Sequence, residues 1–165
     1  MSSRIKNLSS YNSSKIPSAG KMRFGIVVAE WNTEITESLY KGAEAILLKH
    51  GAKKKNIIRK NVPGSFELPL GAQFLAEYAR VDAVICIGCV IQGETKHAEF
   101  ISNAVSQGLV NLGIKYNKPF VFGVLTPNNM EQAKARAGGK YGNKGDEAAI
   151  TAIKMAALQK EFKRK

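Results

Sequence analysis

The stretch GCVIQGETKHAEFI, residues 88–101, ends an apolar run in Gln-Gly-Glu-Thr and then sets a lysine and a histidine where a helix begins. Each residue type there has a chemical use. Gly93 lets the backbone turn tightly and lets a ligand approach it closely. Thr95 is placed to cap the following helix, whose first N–H groups then face outward with the positive end of the helix dipole, a setting that suits a phosphate. Lys96 adds a cation to that field. His97, in the first turn, can exchange protons near neutral pH. Read physically alone, the stretch also fits an idle surface histidine at a helix start.

Three further segments carry residues of the same kind. VPGSFELP (62–69) presents Ser65, Phe66 and Glu67 directly after a strand: a hydroxyl and a carboxylate for the hydroxyls of a polar ligand, and an aromatic wall. The same pattern also initiates ordinary helices. Trp31, the only tryptophan, follows the first strand and can stack on a planar ring or simply pack. ARAGGKYGNKGDEAA (135–149) gathers Arg136, Lys140 and Lys144 among glycines, an anion site or a solvated kink between helices. Cys86 and Cys89 spell C-I-G-C but lie within a strand-like run, where residues three apart face opposite sides. A zinc site would need two more ligands, so these read as buried structural thiols rather than a redox pair or a metal site.

These segments need elements to hold them. FGIVVAE (24–30) and VDAVICIGCVI (81–91) are near-continuous apolar runs, as expected of strands covered on both faces; NIIRKNV (56–62) is a more polar, edge-like strand, and PFVFGVLT (119–126) the fourth. Helical patterns follow each. One carries Leu39, Ala43, Ile46 and Leu47 and stops near Gly51, and a second runs to about Arg80 with Pro69 in its first turn. A third spans about Lys96 to Ile114, and the last two run from Met130 to Ala137 and from about Lys144 onward, separated by a glycine break. Such alternation predicts an α/β fold: a three-layer, four-stranded parallel sheet with helices on both faces. Ligands bind beyond the carboxyl ends of such strands. WNTEIT, VPGSFELP, QGETKH and TPNN all follow strands and therefore share one rim.

The 165 residues favour a single domain, and 44% hydrophobic with 23% charged residues is a soluble composition. No apolar run reaches the ~20 residues a membrane span needs. Residues 1–22, serine-rich and basic, lack an apolar stretch of the secretory kind and read as a flexible tail before a domain at 23–165, with a cytoplasmic location expected. The net charge is +12, but residues 1–23 and 154–165 hold nine of those charges. Lys49, Lys53, Lys54, Lys55, Arg59 and Lys60 form a second patch. Basic ends and a solvated face explain this without a nucleic-acid partner.

The ordered set FGIVVAEWNTEIT, VPGSFELP, GCVIQGETKHAEFI, FGVLTPNNMEQAKARAG and GNKGDEAA resembles the lumazine synthase family, from about Phe24 to Ala157. The resemblance implies a flavodoxin-like fold and a cofactor-free, metal-free condensation of 5-amino-6-(D-ribitylamino)uracil with 3,4-dihydroxy-2-butanone 4-phosphate, giving 6,7-dimethyl-8-ribityllumazine. It implies that Trp31 stacks on the pyrimidine and that Ser65, Phe66 and Glu67 line the ribityl site. The backbone of Cys89, Val90 and Ile91 would read the pyrimidine edge, Glu94 and Thr95 would hold the phosphate, and His97 would transfer protons. Phe122, Arg136 and Lys144 would complete the site from a neighbouring subunit, Arg136 as the phosphate clamp. Homopentamers are implied, and association with riboflavin synthase. The short GGKYGNKG break resembles capsid-forming members.

One departure stands out: Gln92 occupies a position where the family often has arginine. Two other readings compete. A non-catalytic shell or binding protein for a flavin-like ligand would bind without turnover, and the retained His97 and Arg136 argue against it. A flavodoxin-type electron carrier would place a hydroxyl-rich phosphate loop after strand one, where this chain has WNTEIT.

Overall fold

The computed structural model describes residues 7–163. Its centre is two strands with no exposed residue, β1 (Phe24–Ala29) and β3 (Ala83–Cys89), paired in parallel from Phe24↔Ala83 to Val28↔Ile87. Their unbroken apolar composition is what a strand covered on both faces requires. β2 (Ile57–Val62), the polar strand, takes the edge beside β1, and β4 (Phe120–Leu125) takes the opposite edge beside β3. The order β2-β1-β3-β4 is all parallel, as the alternation predicts.

Two apolar layers flank the sheet. On one face Ile26, Val28, Ile85 and Ile87 pack with α1 (Thr33–Lys49) and α5 (Lys144–Lys163). On the other, Val27, Val84 and Cys86 pack with α2 (Leu68–Tyr78) and α3 (His97–Tyr116). Cys86 and Cys89 fall in opposite layers, as strand alternation demands. α1 and α5 approach very closely: a Cβ on Gly145 would lie 1.9 Å from the Leu39 carbonyl oxygen, so only glycine fits there.

Several boundaries differ from expectation. α2 ends at Tyr78 and α4 (Met130–Ala135) two residues short of Ala137. The glycine break is not a bare kink: β5 (Ala137–Gly139) and β6 (Gly142–Asn143) form a small antiparallel hairpin, with Gly138 at φ 97° and Gly142 at φ 89° supplying the left-handed backbone it needs. No helix among the described residues is long and apolar enough to cross a membrane.

The expected flexible tail at 1–22 needs the larger correction. Over residues 7–22 the chain is packed on the body. Ile16, Ala19 and Met22 are buried in the α1–α5 layer, and Ala19 N–H donates to the His50 carbonyl at 2.8 Å. Ser9 is buried and accepts from Asn143 N–H at 2.7 Å. Residues 1–6 lie outside the described residues.

His50, at the end of α1, anchors this segment through its side chain as well: Tyr11 Oη lies 3.2 Å from His50 Nε2, with the rings tilted at 5.7 Å. Burial, and then the charge of Lys49, hold the imidazole below its ordinary pKa near 6.5, so the fold favours the neutral ring. A depressed value means that the unfolded chain binds the proton first as pH falls. The stability this site contributes is complete above about 6.5 and is lost as pH drops through the folded value. The expected result is a melting temperature that falls between pH 7.5 and pH 5, with a smaller fall in His50→Gln. Equal pH dependence of the two proteins would contradict this role for His50.

Candidate active site

The chain winds from β1 outward to β2 and then returns past β1 to β3, so the connections leaving β1 and β3 diverge to opposite faces. A crevice at their carboxyl ends is the consequence. It holds a cavity of about 830 Å³.

Trp31 and Asn32 line it from the β1–α1 turn. The Trp31 ring is 72% exposed, an apolar plate with an unoccupied face. Asn32 caps α1 in the left-handed region, φ 59° and ψ 48°, a conformation asparagine tolerates better than most residues. Its Nδ2 donates to the Cys89 carbonyl at 2.8 Å, tying the Trp31 turn to the end of β3.

Gly64, Ser65, Phe66 and Glu67 line the second wall, from the 3₁₀ turn Ser65–Glu67 that opens α2. Ser65 is buried against β3, and a Cβ on Gly88 would stand only 2.5 Å from its Oγ, so the glycine in β3 makes room for the hydroxyl. A Cβ on Gly64 would lie 3.1 Å from Glu67 Oε2 and 3.3 Å from Trp31 Cδ1; carboxylate and indole therefore close over the same backbone. Phe66 projects its ring outward and is 60% exposed.

Cys89, Val90 and Ile91 form the floor. Val90 N–H is used by the Leu125 carbonyl at 2.8 Å and the Cys89 carbonyl by Asn32, whereas the N–H of Ile91 has no acceptor among the described residues. Burial pushes the Cys89 thiol up to about 11 and the Cys86 thiol higher still, which favours the neutral thiol at both positions.

His97 lines the cavity beside Phe100 and Ile101, two α3 residues absent from the sequence-based set. The expected capping by Thr95 is displaced by one residue. α3 begins at His97, Lys96 holds the cap position without a side-chain bond, and Thr95 Oγ1 meets His97 N–H only at 3.4 Å. Nor does Gly93 adopt a glycine-only conformation. Its φ is not positive, and a Cβ there would meet nothing within 4 Å. The space beside it is open to a ligand rather than required by the turn. Glu94 and Thr95 lie exposed on the adjoining loop, outside the cavity lining.

Phe122, Arg136 and Lys144 are not brought to this cavity. Phe122 is half-buried in β4 on the α2–α3 face. Arg136 caps the end of α4 and lines a separate cleft of about 540 Å³ with Thr126, Pro127 and Gln132. Its guanidinium donates to the Tyr141 carbonyl at 2.7 Å and to Glu147 Oε1 at 2.5 Å; Lys144 Nζ lies 3.2 Å from Glu147 Oε2, and Ser9 Oγ lies 3.1 Å from Oε1. Glu147 thus fixes both cations, a part that sequence reasoning missed although GNKGDEAA contains it. Guanidinium has five N–H donors, so these two bonds leave others for an anion.

Residues 21–160 match the family model for 6,7-dimethyl-8-ribityllumazine synthase. The chain belongs to that family. Its relatives include 6,7-dimethyl-8-ribityllumazine synthases of Cytophaga hutchinsonii, 68% identical with 95% of this chain and 98% of that protein covered, and of Parabacteroides distasonis, 54% identical with 94% and 97% covered. That of Christiangramia forsetii is 51% identical with 99% and 98% covered. Lumazine synthases are transferases of riboflavin biosynthesis, and the four-stranded three-layer sheet is consistent with their flavodoxin-like fold.

The Asn32 bridge is open to a direct test. Asn32→Ala removes the bond to Cys89 and strains the left-handed backbone, and is expected to lower stability in urea by about 1–2 kcal/mol. Asn32→Gly removes the bond but relaxes the backbone, so it is expected to lose less. Equal losses would contradict the backbone part of this account.

Proposed function

We propose that the rim cavity condenses 5-amino-6-(D-ribitylamino)uracil with 3,4-dihydroxy-2-butanone 4-phosphate, giving 6,7-dimethyl-8-ribityllumazine, phosphate and water, the penultimate step of riboflavin biosynthesis. The observation that carries this reading is the meeting in one cavity of Trp31, Ser65, Glu67, the end of β3 and His97, in a chain of the lumazine synthase family. An amine and a ketone condense with loss of water, and the product retains no phosphate. The site must therefore hold a flat ring with a polyol chain, seat an anion, and move protons between them.

On this reading Trp31 stacks on the pyrimidine, and Ile91 N–H with the neighbouring strand-end backbone reads its edge. Glu67 accepts from ribityl hydroxyls, Ser65 bonds another, and Phe66 shields the chain. The backbone around Glu94 and Thr95 holds the phosphate, and His97 relays protons between amine, carbonyl and leaving water. Substrates and products balance without an oxidant or reductant, so the reading assigns no cofactor. Most of the acceleration comes from holding two reactants in register.

Arg136, Lys144 and Phe122 lie away from the cavity of their own chain, which supports a site completed by a neighbouring copy, with Arg136 closing on the phosphate. Exposed apolar side chains at Leu70, Phe74 and Tyr78 on α2, and at Val110, Ile114, Met155 and Phe162 on α3 and α5, support such an assembly. On this reading the enzyme works in the cytoplasm as homopentamers, and the compact β5–β6 hairpin suits their closure into a capsid. Riboflavin synthase, which consumes the product, is the expected partner.

The test is a stopped assay with both substrates, following lumazine absorbance and fluorescence together with released phosphate. Both products are expected above the uncatalysed background. General acid–base groups contribute ~10²–10⁴-fold, and His97→Ala is expected at the low end, slowed about 100-fold yet faster than no enzyme. A variant at the no-enzyme rate would contradict an orientation-dominated mechanism. Saturable binding of the ribityl compound without turnover by the unsubstituted protein would make the chain a binding protein instead.

A further inference from the structure

One side chain braces the loop between β3 and α3 from within. Gln92 Nε2 donates to the Gly93 carbonyl at 2.7 Å and to the Thr95 carbonyl at 3.1 Å. The Gln92 backbone is itself fixed, its N–H donating to the Pro127 carbonyl at 2.9 Å. In a planar trans peptide, the N–H of the next residue points opposite to the carbonyl. Holding the Gly93 and Thr95 carbonyls on one side therefore aims the N–H groups of Glu94 and Lys96 to the other. Among the described residues, no acceptor takes the N–H groups of Gly93, Glu94, Thr95 or Lys96.

We infer that Gln92 is a positioning residue that pre-organises the Glu94 and Lys96 N–H groups as a pair of donors for the phosphate of the second substrate. The inference rests on the proposed reading of residues 93–96 as the phosphate loop. A carboxamide suits the task because its NH₂ supplies two protons, one for each carbonyl. Without that grip, both peptides are free to rotate, and the donors must be ordered when the anion binds. Glutamine at this position thus replaces a direct cationic contact with an indirect one through the backbone. The loop's anion affinity comes from aimed amides and the α3 dipole rather than from a charge at position 92.

The experiment compares the unsubstituted protein with Gln92→Met, which keeps length but removes both donors, and Gln92→Arg, whose guanidinium restores them. Inorganic phosphate serves as a competitive inhibitor against the butanone phosphate, and KM is measured for each substrate. Loss of two hydrogen bonds of ordinary net strength predicts that Gln92→Met raises the phosphate inhibition constant and the butanone phosphate KM by about tenfold each. The KM of the ribityl compound should stay unchanged, and Gln92→Arg should restore the first two.

If phosphate competes in the unsubstituted protein and Gln92→Met leaves its inhibition constant unchanged, the inference fails while the phosphate-loop reading stands. If phosphate does not compete with the butanone phosphate in the unsubstituted protein, the loop reading fails and takes the inference with it. Equal rises in both KM values, unrestored by Gln92→Arg, would mark general damage and also overturn the role of Gln92.

Discussion

The parallel pairing of β1 with β3 is the constraint on which the rest of the structure depends. Both strands are wholly buried, both feed loops to the same rim, and the chain reverses its direction of winding between them. Because their connections must leave on opposite faces, a crevice opens at their carboxyl ends without any side chain being sacrificed to make it. Trp31 and Asn32 stand at one lip and Cys89–Ile91 form the floor. The Asn32–Cys89 bond closes the distance between them. Ser65 reaches the floor only because β3 carries glycine at position 88. The cavity is a property of topology first and of its lining residues second.

The two proposed anion-binding groups are braced by different routes. The loop at residues 93–96 is braced from within, by Gln92 on its carbonyls. The guanidinium of Arg136 is braced from outside, by Glu147 on α5, the Tyr141 carbonyl in the hairpin turn and, through Glu147, Ser9 of the N-terminal segment. That segment is thus part of the scaffold around Arg136, the proposed phosphate clamp. It is itself attached at Ile16, Ala19, Met22 and the Tyr11–His50 pair.

Much of this was legible in the sequence, for identifiable reasons. β1 and β3 announce themselves as unbroken apolar runs, and position after a strand picked out Trp31, Ser65, Phe66, Glu67 and His97. The reaction itself came from the likeness of five ordered segments, since none of those residues specifies a substrate by its type. What stayed hidden gave too short a signal. Ile16, Ala19 and Met22 recur every third residue, but three positions interrupted by Pro17 and Gly20 in a serine-rich stretch mark neither a helix nor a strand. β5 and β6 are too short and glycine-rich to signal strands. Cap position was off by one residue at α3, because Thr95 has the right chemistry and Lys96 the right place. The parts played by Gln92 and Glu147 depend on where a side chain folds back, which spacing does not encode.

The central claim is that the β1–β3 rim is where the ribityl compound binds, and the single tryptophan makes it directly measurable. Trp31 is largely exposed and lines the cavity, so its fluorescence should respond to a ring stacked on it. Titration with 5-amino-6-(D-ribitylamino)uracil is predicted to quench Trp31 saturably, at one site per chain, and Glu67→Ala should weaken that binding. Saturable binding by an independent method such as calorimetry, with Trp31 emission unchanged, would place the ligand elsewhere and contradict the account.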